Sequence, residues 1–381
     1  MTRRPRAADL EVEETPPEAD RLEGFPHPRE THVLFGQDAA ERELARALAS
    51  GRMHHAWLLT GREGIGKATL AYRFARAALA SQAEQLAIPR GTLAVAPETI
   101  VARQVRALSH AGLTVIRRPW QRETKRLAQV ITVDEVRRLK GFLQLSAGEG
   151  AYRVAIIDRA EEMNAAAANA LLKSLEEPPQ RTVFLLVSSE PGRLLPTIHS
   201  RCRRLELRRL GETDLLAAVS GAGGQPPDEE RWGLVARLAD GSVRRALELI
   251  AGGAVDQHGK IVGLLSQLPR LDFEAVHKLA ESAGAHGADQ EFQSFFGLLS
   301  DLMARALRSL AIGEPLPASE AALAARFAPG KRGTEHLAAW ADAWEAIARD
   351  KADAVALNLD RKALIIDTFR RLQAVSAAYP G

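Results

Sequence analysis

Residues Gly61-Arg62-Glu63-Gly64-Ile65-Gly66-Lys67 have the G-x-x-x-x-G-K spacing of a phosphate-binding loop. In such a loop, backbone amides at a helix N-terminus cradle phosphates and the lysine reaches the terminal ones. The next position ordinarily supplies a Ser or Thr hydroxyl for magnesium, and here it is Ala68. Thr69 comes one residue late, turned by about 100° around the helix, so it is no simple substitute. Further on, Ala155-Ile156-Ile157-Asp158 is an apolar run ending in a carboxylate, the arrangement that presents an Asp to a metal at a sheet edge. Its successor, Arg159, is permanently charged and cannot act as a base. Glu161 and Glu162 follow toward a helix start and read as capping or solvated residues. With Ala68 and Arg159 at these positions, the expectation is a site disabled for hydrolysis.

These groups need a strand before the loop and a helix after it. Ala56–Leu59 supplies the strand, and Leu70, Phe74 and Ala78 share a helical face. Leu113–Ile116, Val154–Ile157, Val183–Val187 and Arg204–Leu207 predict further strands alternating with helices, which implies a parallel sheet covered on both faces. Thr132 and Glu135 predict a capping box for a helix reaching Leu145. Residues 81–112 carry only a weak helical pattern. After Leu210 the strands stop, and Phe292, Phe295, Phe296, Leu299, Leu302, Met303, Ala306 and Leu310 keep helical spacing over about five turns. Residues 1–30, rich in proline and mixed charge, predict a disordered tail. Arg3-Arg4 is not followed by an apolar stretch, so it predicts no export signal.

The chain has 381 residues, enough for two or three domains. It is 46% hydrophobic and 26% charged, as soluble globular proteins are. A net charge of +3 does not by itself point to nucleic acid. One cysteine excludes a disulfide framework and a four-cysteine zinc site, and it fits a reducing cytoplasm. No run approaches the roughly 20 apolar residues of a membrane span.

One longer pattern is more specific than any of these parts. Asn164-Ala-Ala-Ala-Ala-Asn169-Ala-Leu-Leu-Lys173-Ser-Leu-Glu176-Glu177-Pro178-Pro179 is followed by Ser200-Arg201-Cys202. Together with Leu34-Phe35-Gly36-Gln37, His54-His55-Ala56-Trp57 and the degenerate loop, it resembles the delta-prime branch of the bacterial DNA polymerase III clamp-loader family of AAA+ proteins. The resemblance is strong over 31–210, moderate through Gly241-Ser242-Val243-Arg244, which is similar to a sensor 2 motif, and weak beyond. It implies an α/β AAA+ module, a parallel sheet with helices on both faces, at 31–210. A small helical lid domain at 211–255 and an all-α collar domain for oligomerisation at 256–381 would follow.

The function implied is that of a non-hydrolysing subunit in a five-subunit ring with gamma/tau motor and delta subunits. That ring loads the sliding clamp onto primer-template DNA for the polymerase holoenzyme, a nucleotidyltransferase complex. In the family's motors a glutamate follows the strand-end Asp, where this chain has Arg159. The resemblance makes Arg201 an arginine finger acting in trans on a neighbour's ATP; such a group contributes about 10³–10⁵ in rate. It makes Gly61, Gly64, Gly66, Lys67, Ala68, Thr69, Asp158, Ser189 and Arg244 a degenerate nucleotide site. No cofactor is required on this reading, and no zinc. Vestigial ATP or ADP binding and a glycine turn kept only for its shape both stay open. Many relatives insert a four-cysteine zinc module after the first helix, which this chain lacks.

Other readings compete at specific residues. Arg201 could belong to a solvated basic edge with Arg203, Arg204, Arg208 and Arg209. Arg117, Arg118, Arg122, Lys125 and Arg126 surround Trp120 in an expected exposed loop that could meet a DNA backbone. An ATP-hydrolysing gamma/tau-like motor is the alternative function, opposed by Ala68 and Arg159. A P-loop nucleotide kinase would leave the Glu176-Glu177-Pro178-Pro179 segment and the helical C-terminal third unexplained.

Overall fold

The computed structural model describes residues 17–144, 152–316, 320–327 and 333–378. Two compact units result, the first ending at Gly223 and the second running from Gly224. The sheet lies in the first. Its strands are β1 (Ala56–Thr60), β2 (Leu113–Ile116), β5 (Arg153–Ile157), β6 (Thr182–Ser188) and β7 (Arg203–Glu206). All pair in parallel, in the order β2-β5-β6-β1-β7. A parallel sheet is covered on both faces, so its strands can be apolar throughout; every residue of β1 and β6 is buried. Ala56, Leu58, Ala155, Ile157, Phe184 and Leu186 face Val136 and Leu139 of helix Val133–Gln144 and Leu171 and Leu175 of helix Ala165–Glu176. Helix Lys67–Leu79 packs against β5 and β6. The parallel α/β sheet expected from the sequence is the sheet observed.

Asn164 starts helix Ala165–Glu176 by accepting the Ala167 amide on its side chain, 2.8 Å away. Such a cap contributes about 1 kcal/mol. Residues 81–112, weakly patterned in the sequence, hold helices Gln82–Leu86 and Ile100–Arg106; Ser81 and Glu84 form a capping box on the first. The helix predicted to end at Leu145 is seen to Gln144, and Leu145 lies outside the described residues.

The expectation of a disordered tail fails for residues 17–30. The Arg117 guanidinium binds Asp20 at 2.7 Å and also Glu18, and Arg29 meets Glu18 at 2.8 Å. His27 is fully buried with Nε2 2.8 Å from Asp20, and Arg21 pairs with Glu30 at 2.7 Å. Arg76, itself buried, donates to the carbonyls of Arg29 and Thr31, and burial pulls its pKa down to about 10. Mixed charge that reads as solvated in the sequence is complementary here, to itself and to Arg117. Residues 1–16 lie outside the described residues.

The basic segment 117–126 is likewise not a free loop. It forms a two-stranded hairpin, β3 (Trp120–Gln121) with β4 (Arg126–Leu127). Arg117 is committed to the N-terminal segment, and Arg118 lies 2.7 Å from Glu162. Of its basic residues, Arg122, Lys125 and Arg126 remain exposed.

The second unit is helical among its described residues. Helices Glu229–Ala239, Val243–Ala251, Ala254–Ser266, Phe273–Ala283, Asp289–Ile312, Ala321–Phe327, Gly333–Leu357 and Arg361–Ala378 build it. Phe292, Phe295, Leu299, Leu302, Met303 and Ala306 are buried along Asp289–Ile312, and Phe295 meets Phe369 at 5.9 Å. Glu320, completely buried, receives two donations from Arg305 at 2.9 and 3.0 Å and sits 3.2 Å from His258 Nε2. Arg237 completes the cluster at 3.6 Å. No described helix is long and apolar enough to cross a membrane.

Candidate functional site

The phosphate loop leaves the carboxyl end of β1 and turns into helix Lys67–Leu79. Its glycines are needed for shape at two points. Gly61 has φ +133°, and a Cβ there would stand 2.7 Å from the Leu207 carbonyl oxygen. Gly66 has φ +102°, with a Cβ 2.8 Å from a Leu34 methyl. Gln37 fixes the loop from outside, donating to the carbonyls of Ile65 at 3.2 Å and Arg208 at 2.6 Å.

Lys67 is buried, and its ammonium donates to Gly61 O at 2.7 Å, Arg62 O at 2.6 Å and Ser189 Oγ at 2.9 Å. An ammonium has three donors, so these contacts use all of them. Burial lowers its pKa to about 8, against the opposing charges of Glu161, Glu63 and Asp158. Ala68 places a methyl group where a magnesium-binding hydroxyl would stand.

Asp158 ends β5, with its amide donating to Ile116 O at 2.9 Å. Burial raises its pKa to about 7, and the Asp20 charge adds to the effect. Arg159 takes a left-handed backbone, φ 49°, and its guanidinium reaches both Glu63 of the phosphate loop and Glu162 at 3.1 Å. Arg159 therefore forms an ion-paired clamp onto the loop. Glu161 and Glu162 are not simple caps. Glu162 answers Arg118 and Arg159, while Glu161 Oε1 accepts the Ser189 amide at 2.9 Å. The structure thus brings Lys67, Ser189 and Glu161 into one chain of contacts beside Asp158. The role of Glu161 was hidden because its partner is a backbone amide 28 positions away.

Arg201 lies elsewhere. β7 runs parallel to β1 with Trp57 opposite Arg203 and Thr60 opposite Glu206. The phosphate loop follows Thr60, whereas Arg201 precedes Arg203, so the two lie at opposite ends of these neighbouring strands. Its guanidinium donates through Nη1 to Thr197 O at 2.9 Å and Ser200 Oγ at 3.3 Å, and through Nη2 to Glu176 at 2.6 Å. It is not one of a uniform basic row: Arg203 instead pairs with Glu43 at 2.7 Å and lies over Trp57, and Arg204 reaches Thr60. Cys202 has its thiol pushed up to about 12 by burial, which suits packing and not reactivity. Arg244, in the second unit, donates to Glu248 at 3.0 Å one turn after Ser242 caps the helix.

Comparison with known proteins adds to this geometry. Residues 36–211 match the family model described as DNA polymerase III, delta subunit. The delta′ subunit of DNA polymerase III from Pseudomonas aeruginosa is 38% identical over 229 residues, 60% of this chain and 65% of that protein. Over residues 36–211 the chain is thus similar to DNA polymerase III clamp-loader subunits. The gamma/tau subunit of Mycobacterium bovis is 29% identical over 66% of this chain and 42% of its own length. The matches thus span less than two thirds of these relatives. A gamma subunit-related protein from Thermotoga maritima superposes with a TM-score of 0.43 at 18% identity, covering 88% of this chain and 99% of that one. Within the matched region, the residue after the strand-end Asp is an arginine held by two glutamates.

Proposed function

We propose that this chain is a non-hydrolysing, delta-prime-like clamp-loader subunit that supplies Arg201 to the ATP site of a neighbouring gamma/tau-type motor subunit. The partners are those motors and a delta-type subunit in a five-membered ring, which loads the sliding clamp onto primer-template DNA in the cytoplasm. The lid at 211–255 and the collar at 256–381 serve assembly on this reading.

The observation that carries the reading is Arg159. A water-activating carboxylate cannot be replaced by a guanidinium already paired with Glu63 and Glu162. Ala68 removes a magnesium ligand from the same site. Arg201 stands at the opposite end of β1 and β7 from its own loop, where it cannot serve that loop but can face another subunit. No cofactor or zinc is needed for this role, and any ATP or ADP bound at Lys67 would be a passive ligand.

Steady-state ATP hydrolysis by the isolated chain tests the first half directly. Release of phosphate should stay at background, with and without magnesium. Turnover that disappears in Lys67→Ala would instead identify a motor subunit. Assembly is tested by truncating the chain after Gly223. The remaining first unit, which holds the sheet and its core, should stay folded by circular dichroism yet fail to co-elute with the other subunits. Stoichiometric co-elution of the truncated chain would remove the assembly role from the helical C-terminal part.

A further inference from the structure

The helix Ala165–Glu176 ends at the residue that touches the guanidinium of Arg201. Glu176 Oε1 lies 2.6 Å from Arg201 Nη2, across 25 positions of sequence. The Arg201 side chain is 32% exposed, and Glu176 is 47% exposed. Thr197 O and Ser200 Oγ take the two donors of Nη1, so together with Glu176 three of the guanidinium's five donors are occupied. The Nε–H and the second Nη2–H keep no partner among the described residues. Arginine binds phosphate through guanidinium N–H donors of this kind. The contacts therefore fix the plane of the fork while leaving donors for an external oxyanion.

We infer that Glu176 is a positioning residue for Arg201, bracing the guanidinium so that its unpaired donors are presented to a phosphate on an adjoining subunit. This rests on the trans-acting role proposed for Arg201. A long arginine side chain carries considerable rotamer entropy, and anchoring one nitrogen beforehand removes part of what must be lost on docking. An exposed ion pair contributes little to fold stability, so the contact's effect falls on geometry. The helix stop serves the same end. Pro178-Pro179 follow at once, and Glu177 at the C-cap has left helical geometry, which fixes where Glu176 sits.

The test uses the complete reconstituted complex, with ATP turnover measured under clamp and DNA stimulation. Glu176→Ala should lower kcat by about 3- to 10-fold of the Arg201-dependent part, with KM for ATP within twofold, since the motor's own binding site is untouched. Glu176→Gln, which keeps an acceptor oxygen at the same reach, should restore most of the loss. In an Arg201→Ala background Glu176→Ala should add nothing, because the two act as a unit. An equal loss in both backgrounds would assign Glu176 a role in the fold alone and overturn the inference. So would unchanged or raised turnover in Glu176→Ala while Arg201→Ala remains defective. If Arg201→Ala is itself silent, the trans-acting role falls, and the brace falls with it.

Discussion

A complex carrying Arg201→Ala should assemble normally and lose the ATP site that this subunit completes. An arginine finger contributes about 10³–10⁵ at one site. Because only one of several motor sites is affected, total turnover should fall by a fraction, while clamp loading falls further. Arg201→Lys should rescue only in part: lysine keeps the charge but not the planar five-donor fork that holds Thr197, Ser200 and Glu176 and still has donors left for a phosphate. Single-turnover hydrolysis resolved by site, beside size-exclusion profiles, is the measurement. A variant complex that loads clamps at the original rate would place Arg201 in the ordinary basic surface.

The second large effect is on stability. Glu320 is buried against Arg305, His258 and Arg237. Removing the carboxylate by Glu320→Ala leaves the buried His258 and the half-buried Arg305 without their shared acceptor, which costs about 1–3 kcal/mol. Urea unfolding of the full chain should show the helical unit melting early, with the sheet unit unchanged. Burial works against the ionised form of Glu320, yet hydrogen bonds from His258 and Arg305 and the Arg305 charge outweigh it, holding the pKa at about 2. The folded value is below the ordinary 4.5, so the stabilisation is complete above pH 4.5 and is lost as pH falls from 4.5 toward 2. Glu320→Gln should flatten that acid limb. An unchanged midpoint in Glu320→Ala would show that the cluster contributes nothing net.

Sequence and structure agree best where local pattern and tertiary environment coincide. The apolar runs at 56–59, 154–157 and 183–187 are strands buried on both faces, so their composition alone announces a parallel sheet. Lys67, Asp158 and Arg201 were visible from motifs. What the sequence hid is charge pairing at a distance. Glu18 and Asp20 look solvated until Arg117, nearly a hundred positions away, is placed beside them. The apparent DNA-facing arginines 117 and 118 are spent on those and other carboxylates for the same reason. Glu161, Glu176 and Glu320 are ordinary acidic residues in the text of the chain. Their partners are a backbone amide, a loop arginine and a histidine–arginine cluster, none with a local signature.

The central claim is that this subunit's own phosphate loop is dispensable for hydrolysis and its Arg201 is not. Both can be compared in one assay: clamp- and DNA-stimulated phosphate release by complexes containing either Lys67→Ala or Arg201→Ala in this subunit alone. Lys67→Ala should match the unaltered complex, and Arg201→Ala should lose the turnover of one site. The reverse pattern, loss with Lys67→Ala and none with Arg201→Ala, would contradict the account.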